Sequence, residues 1–258
     1  MTDAVRYASG DGVARITLAR PEKRNALSPE SIRQLRAALE RAAADAQVRA
    51  IVLSAEGPDF CAGADLEALA QLVDASPDTH RADARALADL FLAMRSHPRP
   101  IVAAVQGRAL AGGAGLATAC DIVIASSTAA FGYPEVRIGF VAAIVTALLR
   151  ICVPEKAAFE LLATGRQISA EEAHRIGIVT HVVPAGQLEE RAQSLAAEIA
   201  GLPADAVTRT KQLFYGMIEA QLTETLEKGV EANVSARSTG EFRAGLSSFI
   251  SRRRDQGS

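Results

Sequence analysis

Short apolar runs alternate with segments of helical spacing, and this alternation restricts the fold more than any other feature of the chain. Val13–Leu18 alternates like a strand, and apolar residues then recur at helical spacing over 32–42. Further strand-like runs occupy 50–53, Ile101–Val105 and 121–125. Repeated strand-then-helix units predict an α/β fold.

Helix-start signals stand at the expected places between these runs. Ser28 precedes Pro29, an N-cap followed by a proline at the first helical position. Asp65 is the predicted N-cap of the segment LEALAQL. After Ser76, an alanine-rich helix is predicted to run to about Met94.

The C-terminal part of the chain has a different pattern. No convincing strand follows Gly201, and residues 204–218, 222–238 and 241–252 favour helix. We therefore predict a core of strands and helices over residues 1–200 and a helical region over residues 201–258. These helices are too few to enclose a large core alone, which indicates packing on a neighbouring subunit.

Composition argues against several classes of function. The formal net charge is −2, from 28 basic and 30 acidic residues that are mixed along the chain. No basic surface for nucleic acid or for a membrane is expected from such a balance. Three widely spaced cysteines and four scattered histidines favour neither disulfides nor a metal site. The N-terminus lacks an apolar targeting segment, so we expect a cytoplasmic protein.

Two loops rich in small residues lie between a predicted strand and a predicted helix. They are FCAGAD at residues 60–65 and ALAGGAG at residues 109–115. Neither contains GxGxxG or GxxxxGK[ST], which weakens a nucleotide-binding interpretation. One alternative is that the glycines only allow a buried helix to pack closely. The other is that the two loops supply backbone N–H donors for a developing oxyanion.

Five segments together resemble the crotonase superfamily, the enoyl-CoA hydratase and isomerase family, and the likeness covers essentially the whole chain. They are RPEKRNALS (20–28), FCAGADL (60–66), PIVAAVQGRALAGGAGLATACDIVIAS (100–126), FGYPEVRIG (131–139) and TGRQISAEEAHRIGIV (164–179). The resemblance implies a crotonase-like spiral of ββα repeats over residues 1–200 and a C-terminal helical trimerisation region over residues 201–258. It also implies a homotrimer or hexamer that binds an acyl-CoA.

The same resemblance assigns roles to particular residues. It implies that the N–H groups of Ala64 and Gly112 hold the thioester oxygen and that Glu135 is the catalytic acid and base. Substrate-binding positions are expected at Arg24, Ala62, Asp65, Leu66, Gly113 and Tyr133. No metal and no separate cofactor are implied, because CoA is part of the substrate. The segment 66–94 is expected to line the acyl end of the pocket.

Two departures from the family pattern leave the reaction open. Gly115 stands where hydratases of the family have a second glutamate, and Ala142-Ala143 replaces a proline-glycine pair. Some members assigned as hydratases share AGGAGL, so the missing glutamate does not exclude water addition. Hydration of a 2-enoyl-CoA in fatty acid metabolism is slightly favoured, because hydratases are abundant in the family. The alternatives are isomerisation of a 3-enoyl-CoA by Glu135 alone and a non-catalytic acyl-CoA-binding or scaffold protein.

Three residues near these motifs have simpler predicted roles. Asp121 is expected to satisfy backbone groups at the start of a strand. Cys61 is interpreted as a small buried residue, because no histidine is placed to activate it. Tyr133 is expected in the core or in the pocket wall rather than in the chemistry.

Overall fold

The computed structural model describes the backbone of residues 3–255 and the side chains of residues 3–251. The strands are β1 Val5–Gly10, β2 Val13–Leu18, β3 Ala50–Ala55, β4 Ile101–Val105, β5 Arg108–Leu110, β6 Ile122–Ser126, β7 Ala130–Gly132, β8 Gln167–Ser169 and β9 His181–Val183. The helices are α1 Pro29–Ala44, α2 Leu66–Gln71, α3 Pro77–Ser96, α4 Gly112–Ala119, α5 Ala143–Cys152, α6 Glu155–Thr164, α7 Ala170–Arg175, α8 Leu188–Ala200, α9 Ala204–Gly216, α10 Glu219–Arg237 and α11 Gly240–Asp255. The predicted α/β class is confirmed.

The strands form two sheets. The larger sheet has the order β1-β2-β3-β4-β6-β9, in which β1 is antiparallel to β2 and the other pairs are parallel. In the smaller sheet, β7 lies between β5 and β8. The four strands predicted from apolar runs correspond to β2, β3, β4 and β6. Sequence reasoning missed the other five strands.

Both faces of the larger sheet are covered by helices. Alternate residues of β3, such as Ile51 and Leu53, face a core built with α1, α3 and α4. The intervening residues Ala50 and Val52 face a second core closed by α8. Burial on both faces explains why the parallel strands are continuous apolar runs.

The predicted helix starts are confirmed. The hydroxyl of Ser28 accepts a hydrogen bond from the N–H of Ser31 and so caps α1, and Ser76 caps α3 in the same way. The carboxylate of Asp65 accepts hydrogen bonds from the N–H groups of Glu67 and Ala68 and caps α2. Within the described residues, none of these or the other helices is long and apolar enough to span a membrane.

A buried ion pair attaches the C-terminal helices to the sheet. The Nζ atom of Lys211, on α9, lies 2.7 Å from Asp121 Oδ2, and both side chains are largely buried. The same carboxylate oxygen accepts a hydrogen bond of 2.6 Å from the N–H of Ile101, at the start of β4. Lys211 also donates to the carbonyl oxygens of Met94 and Arg99. The structural role predicted for Asp121 is confirmed.

Removal of this ammonium group should destabilise the protein strongly. We expect Lys211→Met to cost about 3–5 kcal/mol of unfolding free energy, because the carboxylate of Asp121 is left buried without its partner. The exposed pair of Lys228 with Glu224 is the matched control, and Lys228→Met should cost at most about 1 kcal/mol. Urea titration measures both values. Equal losses in the two variants would contradict the anchoring role.

Candidate active site

A cavity of about 870 Å³ opens where the two small-residue loops meet. Its wall contains seven of the nine predicted site residues: Arg24, Ala62, Ala64, Asp65, Leu66, Gly112 and Glu135. Gly113 and Tyr133 are not among the cavity-lining residues of the described chain. The structure therefore brings together both predicted oxyanion donors and the predicted acid/base.

Hydrogen bonds on both sides fix the loop at residues 60–65. Cys61 donates its N–H to the carbonyl of Arg108, and its own carbonyl accepts the N–H of Leu110. Leu27 donates to the carbonyl of Gly63 at 2.7 Å, and its carbonyl accepts the N–H of Asp65 at 2.9 Å. This ladder does not use the N–H of Ala64, which donates no hydrogen bond within the described chain.

The second donor is the N–H of Gly112, the first residue of α4. The first N–H groups of a helix have no partner within the helix and lie at the positive end of its dipole. Ala111 has φ +52°, an uncommon value for alanine, and this conformation starts the helix at Gly112. A methyl group at Gly63 would lie 2.7 Å from Ala111 Cβ, so the two loops touch.

The next two glycines have packing roles. A methyl group at Gly113 would lie 2.2 Å from the carbonyl oxygen of Cys61, so only glycine lets α4 approach that loop. At Gly115 a methyl group would lie 2.5 Å from Val145 Cγ1 and 2.9 Å from Phe91 Cζ. The packing interpretation of ALAGGAG therefore applies to Gly113 and Gly115, and the donor interpretation stays a prediction for Gly112.

Glu135 lies in a short 3-10 helix, Pro134–Ile138, that faces the cavity. Burial raises the pKa of its carboxyl to about 7, because the charged form loses hydration. Its Oε2 atom is enclosed and has no hydrogen-bond partner in the described part of the chain. A carboxyl with a pKa near neutrality can both accept and release a proton at neutral pH.

The other three carboxylates in the described cavity wall have cationic partners. Asp65 Oδ2 lies 3.0 Å from a guanidinium nitrogen of Arg20, and Glu67 lies 2.7 Å from Lys23 Nζ. Asp83 is paired with an arginine of α10. Glu135 alone is unpaired among the cavity-lining acids of the described residues.

The remaining predicted site residues have clear positions. Arg24 is exposed at the cavity mouth, where its backbone has φ +51°. Tyr133 is 1% exposed, and its hydroxyl lies 3.4 Å from Thr118 Oγ1 in the core behind the cavity. Cys61 is fully buried, and burial raises the pKa of its thiol to about 12. The interpretation of Cys61 as a small buried residue is confirmed.

Sequence reasoning missed one polar group in the cavity wall, formed by Asp83, Asn233 and Arg237. Asn233 and Arg237 are four residues apart on α10, and Asp83 is on α3. Nothing in the sequence pattern connects two helices that are about 150 residues apart. The predicted lining of the acyl end by residues 66–94 does include Asp83, Ala84 and Leu87.

Comparison with known proteins defines the family. The enoyl-CoA hydratase/isomerase family model matches residues 8–256. A Thermus thermophilus protein, provisionally named an enoyl-CoA hydratase, is 41% identical over 93% of this chain and 95% of its own length. An enoyl-CoA hydratase/isomerase structure from Xanthobacter autotrophicus Py2 aligns with a TM-score of 0.90 at 33% identity, over 99% of each chain. The chain belongs to the enoyl-CoA hydratase/isomerase family, within the crotonase superfamily.

A second relative extends the comparison to animals. The rat protein named enoyl-CoA hydratase domain-containing protein 3, mitochondrial, is 36% identical over 95% of this chain and 81% of its own length. The predicted crotonase fold and the predicted enzyme class, hydratase or isomerase, are thus confirmed.

Burial of Glu135 should lower stability at alkaline pH. Its pKa is raised in the folded state, so the folded chain holds a proton that the unfolded chain loses between about pH 4.5 and 7. Stability therefore falls as the pH rises through that window. We expect Glu135→Gln to be about 2 kcal/mol more stable than the wild type at pH 8 and equally stable at pH 4.

Thermal unfolding at the two pH values checks this expectation. Glu67→Gln is the control, since the side chain of Glu67 is 66% exposed beside Lys23. It should show no gain that appears only at alkaline pH. The same difference between Glu135→Gln and wild type at both pH values would contradict the raised pKa.

Proposed function

We propose that the chain moves a proton beside the carbonyl of an enoyl-CoA thioester. In this proposal the N–H groups of Ala64 and Gly112 donate to the thioester oxygen, and Glu135 exchanges the proton. The observation that supports it most is the unpaired, buried carboxyl of Glu135 in a cavity with two free backbone donors.

The proposed step forms an enolate. The carboxylate of Glu135 accepts a proton from C2, and the electron pair of that C–H bond delocalises onto the thioester oxygen. The two N–H donors stabilise the negative charge that develops on this oxygen. Return of the proton at C4 moves the double bond of a 3-enoyl chain to position 2. This reaction is redox-neutral and needs no reactant besides the acyl-CoA.

Isomerisation is the reaction that the geometry supports best. Hydration needs a group to hold water while another transfers the proton, and the position matching the family's second glutamate is Gly115. Val145 and Phe91 fill the space beside Gly115, and no carboxylate could stand there without repacking. Ala142 and Ala143 give the cavity wall no polar side chain at the altered turn. The sequence slightly favoured hydration, but the structure of the cavity favours isomerisation by Glu135 as the proposed reaction.

Hydration stays the second candidate, because relatives carry that name. Provisional names as enoyl-CoA hydratases are carried by the Thermus protein and by a Rhizobium meliloti protein that is 36% identical. A hydratase built on this site would have to hold its water with Glu135 and backbone groups.

The substrate's CoA moiety and the assembly complete the proposal. We place the CoA phosphates near Arg24 and Lys23, at the mouth of the cavity. The proposed assembly is a homotrimer or a hexamer of two trimers, formed with the region 201–258. Support comes from the end of α9 and the residue after it, where Leu213, Phe214 and Met217 expose large apolar side chains to solvent. Fatty acid metabolism and a cytoplasmic location stay predictions.

Two isomeric substrates separate the candidate reactions. Wild-type protein should convert a short 3-enoyl-CoA into its 2-enoyl isomer, seen as a rise in the ultraviolet absorbance of the conjugated thioester. Glu135→Gln should lose at least about 10²-fold in rate, because the group that transfers the proton is gone, while acyl-CoA still binds. A fall in absorbance with a 2-enoyl-CoA would instead establish hydration. Binding without turnover of either isomer would establish the non-catalytic alternative.

The donor role of Gly112 has its own test. Gly112→Pro removes the N–H at a helix position that tolerates proline, whereas Gly112→Ala keeps the N–H. A methyl group at Gly112 would lie 3.4 Å from Leu27 Cδ1, so it fits. We expect Gly112→Pro to lose about 10²–10³-fold in kcat and Gly112→Ala less than about 10-fold. Similar losses in the two variants, both with native circular dichroism, would rule out this donor.

A further inference from the structure

A buried polar cluster lies in the wall of an otherwise largely apolar acyl pocket. Arg237 Nε donates to Asn233 Oδ1 at 2.8 Å, and Arg237 Nη2 donates to Asp83 Oδ2 at 2.5 Å. All three residues line the cavity, and Arg237 is only 5% exposed. The proposed proton transfer at Glu135 does not use this cluster.

One donor of the cluster has no partner. Arg237 Nη1 is enclosed and forms no hydrogen bond within the described residues. Nearly all buried N–H groups in proteins are hydrogen-bonded, and an unsatisfied one is costly. Arg237 lines the cavity, so a ligand oxygen satisfies this donor when it displaces the groups that enclose Nη1.

The cluster lies along the path of an acyl chain. A methyl group at Gly112 would lie 3.7 Å from Leu87 Cδ2, so Leu87 is beside the proposed oxyanion donor. Asp83 is four residues earlier on α3, on the same helix face and about 6 Å along its axis. Ala84, between them on the cavity wall, leaves space there.

Charge balance restricts what the cluster can accept. Arg237 contributes one positive charge and Asp83 one negative charge, so the pair is neutral overall. A carboxylate on the ligand would bring a second negative charge beside Asp83 in a largely buried site. An uncharged oxygen can accept the N–H of Nη1 without that cost.

On the basis of the proposed function, we propose that the preferred acyl-CoA carries an uncharged hydrogen-bond acceptor, a hydroxyl or keto oxygen, at its far end. Arg237 Nη1 donates to that oxygen, and Asp83 and Asn233 hold the guanidinium in place. Arg237 is then a specificity-determining residue, and Asp83 and Asn233 are positioning residues. A methyl-ended chain of the same length leaves the donor unsatisfied.

The test measures binding, so that it does not depend on turnover. Saturated acyl-CoA thioesters of about four to eight carbons are titrated calorimetrically in three forms, ending in methyl, hydroxyl or carboxyl. At the matching length, the hydroxyl-ended ligand should bind roughly 10- to 100-fold more tightly than the methyl-ended one. Equal or weaker binding of the hydroxyl-ended ligand at every length would overturn the proposal. Tighter binding of the carboxyl-ended ligand would overturn the uncharged assignment.

Two double variants connect the preference to the cluster. Asp83→Leu with Arg237→Met removes both charges together, so neither is left buried alone, and the hydroxyl preference should disappear. The control is Arg85→Gln with Glu227→Gln, an ion pair that joins the same helices α3 and α10 without lining the cavity. The control should keep the preference. The role of Arg237 would be overturned if the Asp83→Leu/Arg237→Met variant kept the preference for the hydroxyl-ended ligand. It would also be overturned if the control variant lost that preference equally.

Failure of this inference is distinguishable from failure of the proposed function. If the enzyme does not isomerise or hydrate any enoyl-CoA but prefers the hydroxyl-ended ligand, the pocket assignment stands without the reaction. If it turns over methyl-ended substrates and shows no binding preference, the reaction stands without the pocket assignment.

Discussion

The contact between the loop at residues 60–65 and the start of α4 is the constraint on which the site depends. At Gly113 even one methyl group would lie 2.2 Å from the carbonyl oxygen of Cys61, and at Gly63 it would lie 2.7 Å from Ala111 Cβ. Side chains at these positions would push the loops apart. Their close approach places the N–H groups of Ala64 and Gly112 on the wall of one cavity. The proposed donors are backbone groups, so they would stay in place without ordering a side chain when charge develops.

The chemistry of the site follows from what surrounds Glu135. The other acids of the described cavity wall are held in ion pairs, whereas the carboxyl of Glu135 is unpaired, and its burial raises its pKa to about 7. Val145 and Phe91 pack against Gly115 and fill the place that a second glutamate would need. A site with one adjustable carboxyl is suited to taking a proton and returning it to the same substrate.

Local sequence signals predicted the helices and strands whose formation depends on residues close together in the chain. The caps Ser28, Asp65 and Ser76 and the apolar parallel strands were predicted because their signals lie within a few residues of one another. The three-residue strands β5, β7 and β8 were missed, since their pairing comes from distant segments. β1 was missed although Asp11-Gly12 is a recognised hairpin turn, because five of its six residues are exposed or partly exposed and show no apolar alternation.

In the site too, sequence reasoning found the residues of contiguous motifs and missed those that depend on contacts between distant segments. The family resemblance located Ala64, Gly112 and Glu135, because each is part of a contiguous motif. Tyr133 was expected in the core or in the pocket wall, and it lies in the core, where its hydroxyl meets Thr118. The cluster around Arg237 was not predictable, since it requires the packing of α3 against α10.

In the proposed reaction, Glu135 and two backbone donors form an enolate from an acyl-CoA. Exchange of the C2 proton measures this step without any double-bond chemistry. A saturated acyl-CoA is incubated with the protein in D₂O, and deuterium at C2 is followed by nuclear magnetic resonance. We expect exchange with wild-type protein and none above background with Glu135→Gln. No exchange with wild type, or the same exchange with both proteins, would contradict it.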